Sequence, residues 1–478
     1  MKNKHKTGIA LMAFVALVCS CKKDFLEVTP KGRLIAQKVA DYDLLLNNLD
    51  LSNISTSSQV IMSDEIAAVQ PYFDGSDQRT QRLFRWEDVI YQRDQDAIEM
   101  DMPMRNIYTY NKIINELPAA TDGTEQQKQS IAAEAMAGRA WTYFLLVNYF
   151  AKPYSSSTAA TDPGYPIITK ADVTETKFTR ATVHEVYDFI VDDLVKAIPH
   201  LPARTTHSLR MSQAAAEGLL GKVYLFMGKP DLALPHLNAS LLAVNNSAIP
   251  IALYDYNKTL APGGEFLPMG IYGPNYPNTA NNREILYNKQ SSNFWTFIYN
   301  ELVIDKPTVA LFDSADLRLK FYSASANYGP AYPTGLLRKM GPTTFQYGVV
   351  LPDLYLLRAE CKARMGDLAG ARLDVEALRK NRMPEANALV PASIAGQQLA
   401  LLKFILSERV REFALSGYRW FDMRRLSVDP LFSDIHYTHR LYSETGAVMA
   451  TYDLKPERMV LRFPQKVMDQ NPGMQNNP

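Results

Sequence analysis

Two stretches of this chain repeat one pattern, and that repetition constrains the fold more than any other feature. The first runs Gly221-Lys222-Val223-Tyr224-Leu225-Phe226-Met227-Gly228, continues with Asp231-Leu232-Ala233 and places Leu237 four residues on. The second runs Ala359-Glu360-Cys361-Lys362-Ala363-Arg364-Met365-Gly366, continues with Asp367-Leu368-Ala369 and places Leu373 four residues on. Each reads as a helix stopped by Met-Gly and a second helix opened by Asp-Leu-Ala, the helix–turn–helix logic of tetratricopeptide repeats. One such pair cannot bury its apolar face alone, so several must stack. Gly221 and Ala359 are small where a neighbouring helix would approach. Periodic apolar positions at 41–49, at 96–117 (Ile98, Ile107, Tyr110, Ile113, Ile114, Leu117) and at 126–150 (Ala137, Trp141, Phe144, Leu145, Tyr149) predict further helices. Thr182-Val183-His184-Glu185 has the form of a capping box opening a helix that ends near Ile198, before Pro199. The expected fold is mainly α, with repeat helices at about 96–150, 182–242, 352–383 and 399–416.

The rest reads differently. From 250 to 346 the chain is rich in Tyr, Asn, Gly and Pro, with short strand-like pieces such as Glu284-Ile285-Leu286-Tyr287. Gly and Pro interrupt it too often for long helices. Residues 151–180 and 427–478 read as loop-rich as well. The expectation is an irregular, loop-rich layer with short strands laid over a tetratricopeptide-like helical frame.

The N-terminus carries a second signal. Lys2, Lys4 and Lys6 precede the uncharged run Gly8 to Val18, and Cys19-Ser20-Cys21 follows. The run is too short for a spanning helix, which needs roughly 20 apolar residues, and has the form of a secretory signal. Val18-Cys19-Ser20-Cys21 resembles a bacterial lipobox, so residues 1–20 are read as a signal peptide and Cys21 as the lipidated new N-terminus. The 51 Lys+Arg and 50 Asp+Glu of the whole chain become 48 and 50 when Lys2, Lys4 and Lys6 are removed, a net charge of −2. Near-neutrality argues against a nucleic-acid partner or a polybasic membrane patch, leaving the lipid as the membrane anchor. Cys361 would be the other cysteine of the mature chain, which excludes an intramolecular disulfide; its helical setting predicts a buried structural thiol.

Taken in order, several segments resemble the SusD/RagB family of Bacteroidetes outer-membrane nutrient-binding lipoproteins. Cys21-x-x-Asp24-Phe25-Leu26-Glu27-x-x-Pro30 is similar to its lipid-attachment start, and Ala140-Trp141-x-Tyr143-Phe144-Leu145-Leu146-Val147-Asn148-Tyr149-Phe150 to its first repeat helix. Asp313-x-x-Asp316-Leu317-Arg318 and Leu356-x-Arg358-Ala359-Glu360 are similar to later signatures. The strongest is Glu408-Arg409-x-x-Glu412-Phe413-x-x-x-Gly417-x-Arg419-Trp420-Phe421-Asp422-x-x-Arg425, and the ending from Phe463-Pro464 to Asn471-Pro472-x-x-Gln475-Asn476-x-Pro478 also fits. The resemblance implies a single SusD-like domain over 21–478 at the cell surface of the outer membrane. It implies non-catalytic capture of a glycan, or in some relatives a peptide, for a SusC-type TonB-dependent transporter, with no cofactor. The alternative is a helical-repeat scaffold that binds another surface protein and holds no small ligand.

The residues themselves offer little catalysis. Glu408 and Glu412 share a helix face with Arg409 and Arg411 nearby, which suits structural ion pairs better than a glycosidase acid pair across a cleft; Glu360, Asp422 and Arg425 read the same way. His436-x-x-His439 lacks a Cys or acidic partner at ligand spacing and reads as a surface loop pair, not a metal site. No GxSxG elbow occurs, and Gly218-x-x-Gly221-Lys222 has the wrong spacing for a phosphate loop. Aromatics remain, because a neutral sugar offers apolar C–H faces and polar edges, and binding sites combine apolar walls with a few placed polar groups. Trp86, Trp141 and Trp420 fall on helical stripes or core patterns and are set aside. Two loop stretches supply the candidate ligand-binding residues: Tyr72, Phe73 and Asp74, and then Asn275, Tyr276 and Asn278 with Trp295 and Tyr299. If Cys21 carries the anchor, the wild type labels with a fatty-acid analogue and partitions with membranes, and Cys21→Ser abolishes both. Persistent labelling of that variant would move the anchor to Cys19 or remove the lipoprotein reading.

Overall fold

The computed structural model describes residues 36–432 and 434–478; residues 1–20, read above as a signal peptide, and Cys21 lie outside them. Nine helices of ten or more residues are found among the described residues: α1 (Ile98–Glu116), α2 (Glu125–Phe150), α3 (Val183–Ala197), α4 (Gln213–Phe226), α5 (Pro230–Ala243), α6 (Leu351–Arg364), α7 (Leu368–Arg379), α8 (Gln398–Phe413) and α9 (Tyr418–Ser427). None is long and apolar enough to cross a membrane. The two sequence copies are the antiparallel pairs α4/α5 and α6/α7, and they stack because α6 packs on α5. Upstream, α1 packs on α2 and α2 on α3, while α8 closes the array against α6.

The local chemistry follows the sequence closely. The Thr182 hydroxyl accepts from the Glu185 N–H while Glu185 accepts from the Thr182 N–H, completing the capping box. Gly228 and Gly366 close α4 and α6 at φ of +72° and +88°, the left-handed geometry expected after a helix. Gly221 lets α4 and α5 approach: a Cβ there would lie 2.7 Å from Leu237 Cγ and 3.1 Å from the Ala233 carbonyl oxygen. Helix α2 is buried almost all round from Ala133 to Phe150, its two charges being met inside the protein, Glu134 by Arg210 and Arg139 by Asp193. Cys361 is fully buried, and burial raises its thiol pKa.

The loop-rich layer contains more sheet than expected. Strands β1 (Ile66–Val69), β2 (Leu302–Ile304), β3 (Thr438–Tyr442) and β4 (Val448–Asp453) form one sheet in the order β4–β3–β1–β2. β1 runs antiparallel to β2, with Ala68 opposite Leu302, and parallel to β3. The stretch 427–478, read as loop, therefore supplies a hairpin that turns at Gly446, φ +86°. The surface reading of His436-x-x-His439 is corrected for the second histidine. His439 points inward from β3, fully buried between Trp86 (ring centroids 3.8 Å apart) and Phe84 (4.4 Å). Its ring nitrogens lie 2.7 and 2.6 Å from the Phe84 and Ser63 carbonyl oxygens, and burial lowers its pKa.

Buried ion pairs join frame and layer. Glu408 of α8 meets Arg318 at 2.7 Å and Arg379 and Arg411 at 2.6 Å each. Burial alone would raise the Glu408 pKa, but Arg318, Arg411 and Arg379 hold it well below the carboxylate range. Glu412 meets Arg318 at 2.9 Å and Arg382 at 2.8 Å, and Arg382 also meets Glu284 at 2.8 Å. On the other side of α8, Arg409 bridges Asp353 of α6 and Asp422 of α9, and Arg425 bridges Asp422 and Glu360. The structural reading of these acids holds: each is locked to arginine inside the protein. Removing one partner of such a pair strands a buried charge, so Arg382→Met should lower unfolding free energy by about 3–5 kcal/mol. Urea denaturation checks this; an unchanged midpoint would mean that Arg318 alone satisfies Glu412.

Candidate functional site

The sheet explains how distant loops meet. The Val69 N–H at the end of β1 donates to the Glu301 carbonyl just before β2, 3.1 Å away. The loop leaving β1, with Tyr72, and the loop entering β2, with Tyr299, therefore emerge at the same end of the sheet. Residues Phe294–Thr296 form one 3-10 turn, and its close winding sends neighbouring side chains in different directions. Trp295 goes inward, 2% exposed, and its indole N–H donates to Glu301 Oε1 at 3.0 Å. Phe294 and Tyr299 stay on the surface, 39% and 42% exposed, with ring centroids 5.6 Å apart.

Other aromatics extend this surface. Phe297 sits 5.7 Å from Phe294 and 6.2 Å from Tyr272 between ring centroids. Tyr328 stands next to Tyr272, whose phenol raises the Tyr328 phenol pKa. Tyr328 is 83% exposed and has φ of +54°, a left-handed backbone that a tyrosine adopts only when its surroundings impose it. What imposes it is a reciprocal latch between the loops. The Asn327 N–H donates to Asn300 Oδ1 at 2.7 Å, Asn300 Nδ2 donates to the Asn327 carbonyl at 3.3 Å, and Asn327 Nδ2 donates to the Phe297 carbonyl at 2.7 Å. From below, Arg338 donates to the Trp295 and Thr296 carbonyls at 2.9 and 3.0 Å. The result is a fixed platform of Tyr272, Phe294, Phe297, Tyr299 and Tyr328, edged by exposed Ile271 and Ile298. Its rings are uncharged, and exposed apolar surface of this kind commonly marks a binding site.

The eight candidate ligand residues separate into three groups. Tyr72 and Tyr299 are brought together: Tyr72 packs edge-on against Tyr332, 6.1 Å away, whose hydroxyl donates to the Asn300 carbonyl at 2.8 Å. Asp74 is exposed beside them and accepts from Gln70 Nε2 at 2.9 Å. Phe73 and Trp295 are corrected, because both are core. Phe73 is fully buried against Phe84 at 4.8 Å, and Trp295 roots the platform from beneath, so neither offers a face to a ligand. Asn275, Tyr276 and Asn278 lie off the platform, and Tyr276 and Asn278 border a groove together with Pro342, Thr343 and Thr344. Tyr276 is half-buried against Tyr254, Phe266 and Phe321, and Asn278 caps a 3-10 turn by accepting from the Asn281 N–H. Asn275 is exposed, its N–H donating to the Phe266 carbonyl. The sequence reading missed Tyr272, Phe294, Phe297 and Tyr328. The turn signal Asn327-Tyr328-Gly329-Pro330 could have placed Tyr328 outward, but nothing local told Phe294 from Trp295.

Comparison with known proteins follows the same division. A family model described as "Starch-binding associating with outer membrane" matches residues 24–225, and a SusD family model matches residues 351–478. The chain belongs to the SusD/RagB family. Among solved structures, a candidate sugar-binding protein from Bacteroides vulgatus superposes with a TM-score of 0.70 at 21% identity, over 93% of this chain and 99% of that one. A SusD superfamily protein from Bacteroides thetaiotaomicron gives 0.70 at 19%, over 92% and 100%. A SusD-like carbohydrate-binding protein from Bacteroides vulgatus gives 0.66 at 15%, over 92% and 99%. No curated protein sequence matches the chain. The platform lies between the two matched spans, so its properties are read from this chain's own residues.

Glu301 offers a test of how the platform is rooted. Burial pushes its carboxyl up to about 7, against 4.5 ordinarily. A folded-state pKa above the unfolded one means stability is fully present below about pH 4.5 and declines as pH rises through 7. Glu301→Gln keeps an acceptor for the Trp295 N–H and cannot ionise. It should therefore match the wild type at pH 4 and exceed it at pH 8 by on the order of 3 kcal/mol. Parallel pH–stability curves for the two proteins would contradict this rooting.

Proposed function

We propose that this chain captures a glycan on the platform of Tyr272, Phe294, Phe297, Tyr299 and Tyr328, with Tyr72 and Asp74 at its margin, and performs no chemistry on it. The observation that carries the reading is an exposed, uncharged aromatic surface braced by the buried Trp295 and Arg338 and by the half-buried pair Asn300 and Asn327. Fixed rings suit the C–H faces of sugar rings, and rigidity lowers the entropy lost on binding. The acids of the family motif do not compete for a catalytic role, because arginines engage them in the interior. The carbohydrate binding named for structural relatives, and the starch binding named in the family description, support the same ligand class.

The wider role follows from the N-terminus and the family. We propose that the mature chain, 21–478, is one domain held at the outer-membrane surface by a lipid on Cys21, and that it passes its glycan to a SusC-type TonB-dependent transporter. Peptide is the second ligand class to test. Isothermal titration against neutral oligosaccharides and peptides examines the ligand claim. Phe294→Ala and Tyr299→Ala should each weaken glycan binding by roughly 2 kcal/mol, as truncated aromatic anchors do, with thermal stability nearly unchanged because both rings are already part-exposed. Trp295→Ala should instead destabilise the fold by about 3–5 kcal/mol. Normal glycan binding by both surface variants would displace the site from the platform.

A further inference from the structure

A groove of about 520 Å³ lies beside the platform and is lined by Ser208, Asn278, Thr279, Asn288, Gln290 and Thr343, among others. Its volume falls within the roughly 300–1,000 Å³ range of small-molecule sites. The strand Gln290–Ser292 borders it, and Phe294 stands two residues beyond Ser292. Two extended residues span at most about 7 Å, so groove and platform adjoin. The backbone between them is fixed, since the Asn293 N–H donates to the Thr343 carbonyl and Asn293 Nδ2 to the Pro342 carbonyl, both at 2.9 Å.

The groove's polar lining is only partly satisfied. Thr279 donates to Gln290 Oε1 at 2.5 Å and accepts from Gln346 Nε2 at 2.9 Å, so that wall is set. On another wall the Asn288 N–H donates to the Ser208 carbonyl at 2.7 Å, but Asn288 Oδ1 and Ser208 Oγ have no hydrogen-bond partner although their residues are 2% and 4% exposed. Buried polar atoms are normally paired, and leaving them unpaired destabilises a fold. Ser208 and Asn288 both border the groove, so a small side-chain shift would present a hydroxyl donor and an amide acceptor to a ligand hydroxyl, which can accept from Ser208 and donate to Asn288. No lysine or arginine lines the groove; Asp50, His207 and the Tyr276 phenol are its titratable side chains. That lining suits an uncharged polyhydroxyl ligand better than an anion.

We infer that the groove at Ser208 and Asn288 is a second subsite, and that the ligand is a neutral oligosaccharide long enough to run from the aromatic platform past Thr343 into it. This rests on the glycan reading above. The test is titration of the full chain with two-unit and six-unit members of the gluco-, manno- and xylo-oligosaccharide series. The six-unit member of the series that binds should bind at least tenfold more tightly than its two-unit member. Ser208→Ala and Asn288→Ala should remove that advantage while leaving the melting temperature unchanged or higher, because each deletes an unpaired polar atom. Ala280→Ile, at the exposed rim, should narrow the groove with the same selective loss and without touching the buried wall, so it decides the matter if the other variants fold poorly. Equal affinity for both lengths, or a length advantage intact in Ala280→Ile, would overturn the second subsite while Tyr299→Ala still reported on the platform. Binding of no oligosaccharide by the wild type would overturn both readings together.

Discussion

The structure depends on carboxylates that cannot reach water. Glu408 and Glu412 lie one turn apart on α8, fully or nearly buried, and each must be met by arginine. An unpaired charge at that depth costs several kcal/mol, and attraction offsets it only when geometry is good on every side. The pairs therefore act as positional constraints. Arg379 comes from the end of α7, Arg382 from just beyond it, and Arg318 and Glu284 from the loop layer. Satisfying α8 fixes where the second repeat ends and where the layer attaches. A parallel set, Asp353–Arg409–Asp422–Arg425–Glu360, fixes α6 against α8 and α9, with arginines holding Glu360 down to about 2 against its burial.

From that attachment the layer builds outward to the platform. Glu284 opens the segment that runs through the strands Ile285–Tyr287 and Gln290–Ser292 into the Phe294 turn. Trp295 plugs inward there, Arg338 holds its carbonyl, and β2 begins six residues after Thr296. The same segment thus carries a buried charge at one end and exposed rings at the other. Surface aromatics on an unsupported loop would collapse inward, since burying apolar area is favourable at about 25 cal/mol per Å². Here the inward position is already occupied by Trp295, and the remaining rings are left outside.

Much of this was legible in the sequence for identifiable reasons. Helices and their stops depend on local chemistry: periodicity, the Thr182–Glu185 box and glycines after Met227 and Met365. The structural role of Glu408 and Glu412 was readable because arginines stood at neighbouring helical positions. The platform was only half readable. In a loop with one 3-10 turn, which of Phe294 and Trp295 faces inward depends on Glu301 and Arg338, which periodicity cannot see. Phe73 was misplaced likewise: it lies in a turn, and its burial is set by packing on Phe84 at the end of the short helix Gln78–Phe84 that follows. His439 did carry a signal: His439 and Leu441 alternate inward along β3, and Thr445-Gly446 marks the turn, but the strand is short and its partner β1 is far away in sequence.

The central claim is that an ion-paired frame holds a rigid aromatic surface, and that this surface takes the ligand. Hydrogen exchange read by mass spectrometry, with and without a saturating neutral oligosaccharide shown by titration to bind, tests it most directly. The account predicts new protection at residues 269–300 and 324–332, and none in α8 or α9, whose amides are already protected by packing. Protection concentrated instead in 408–425, or on the outer face of α4 and α5 with the platform unchanged, would contradict it.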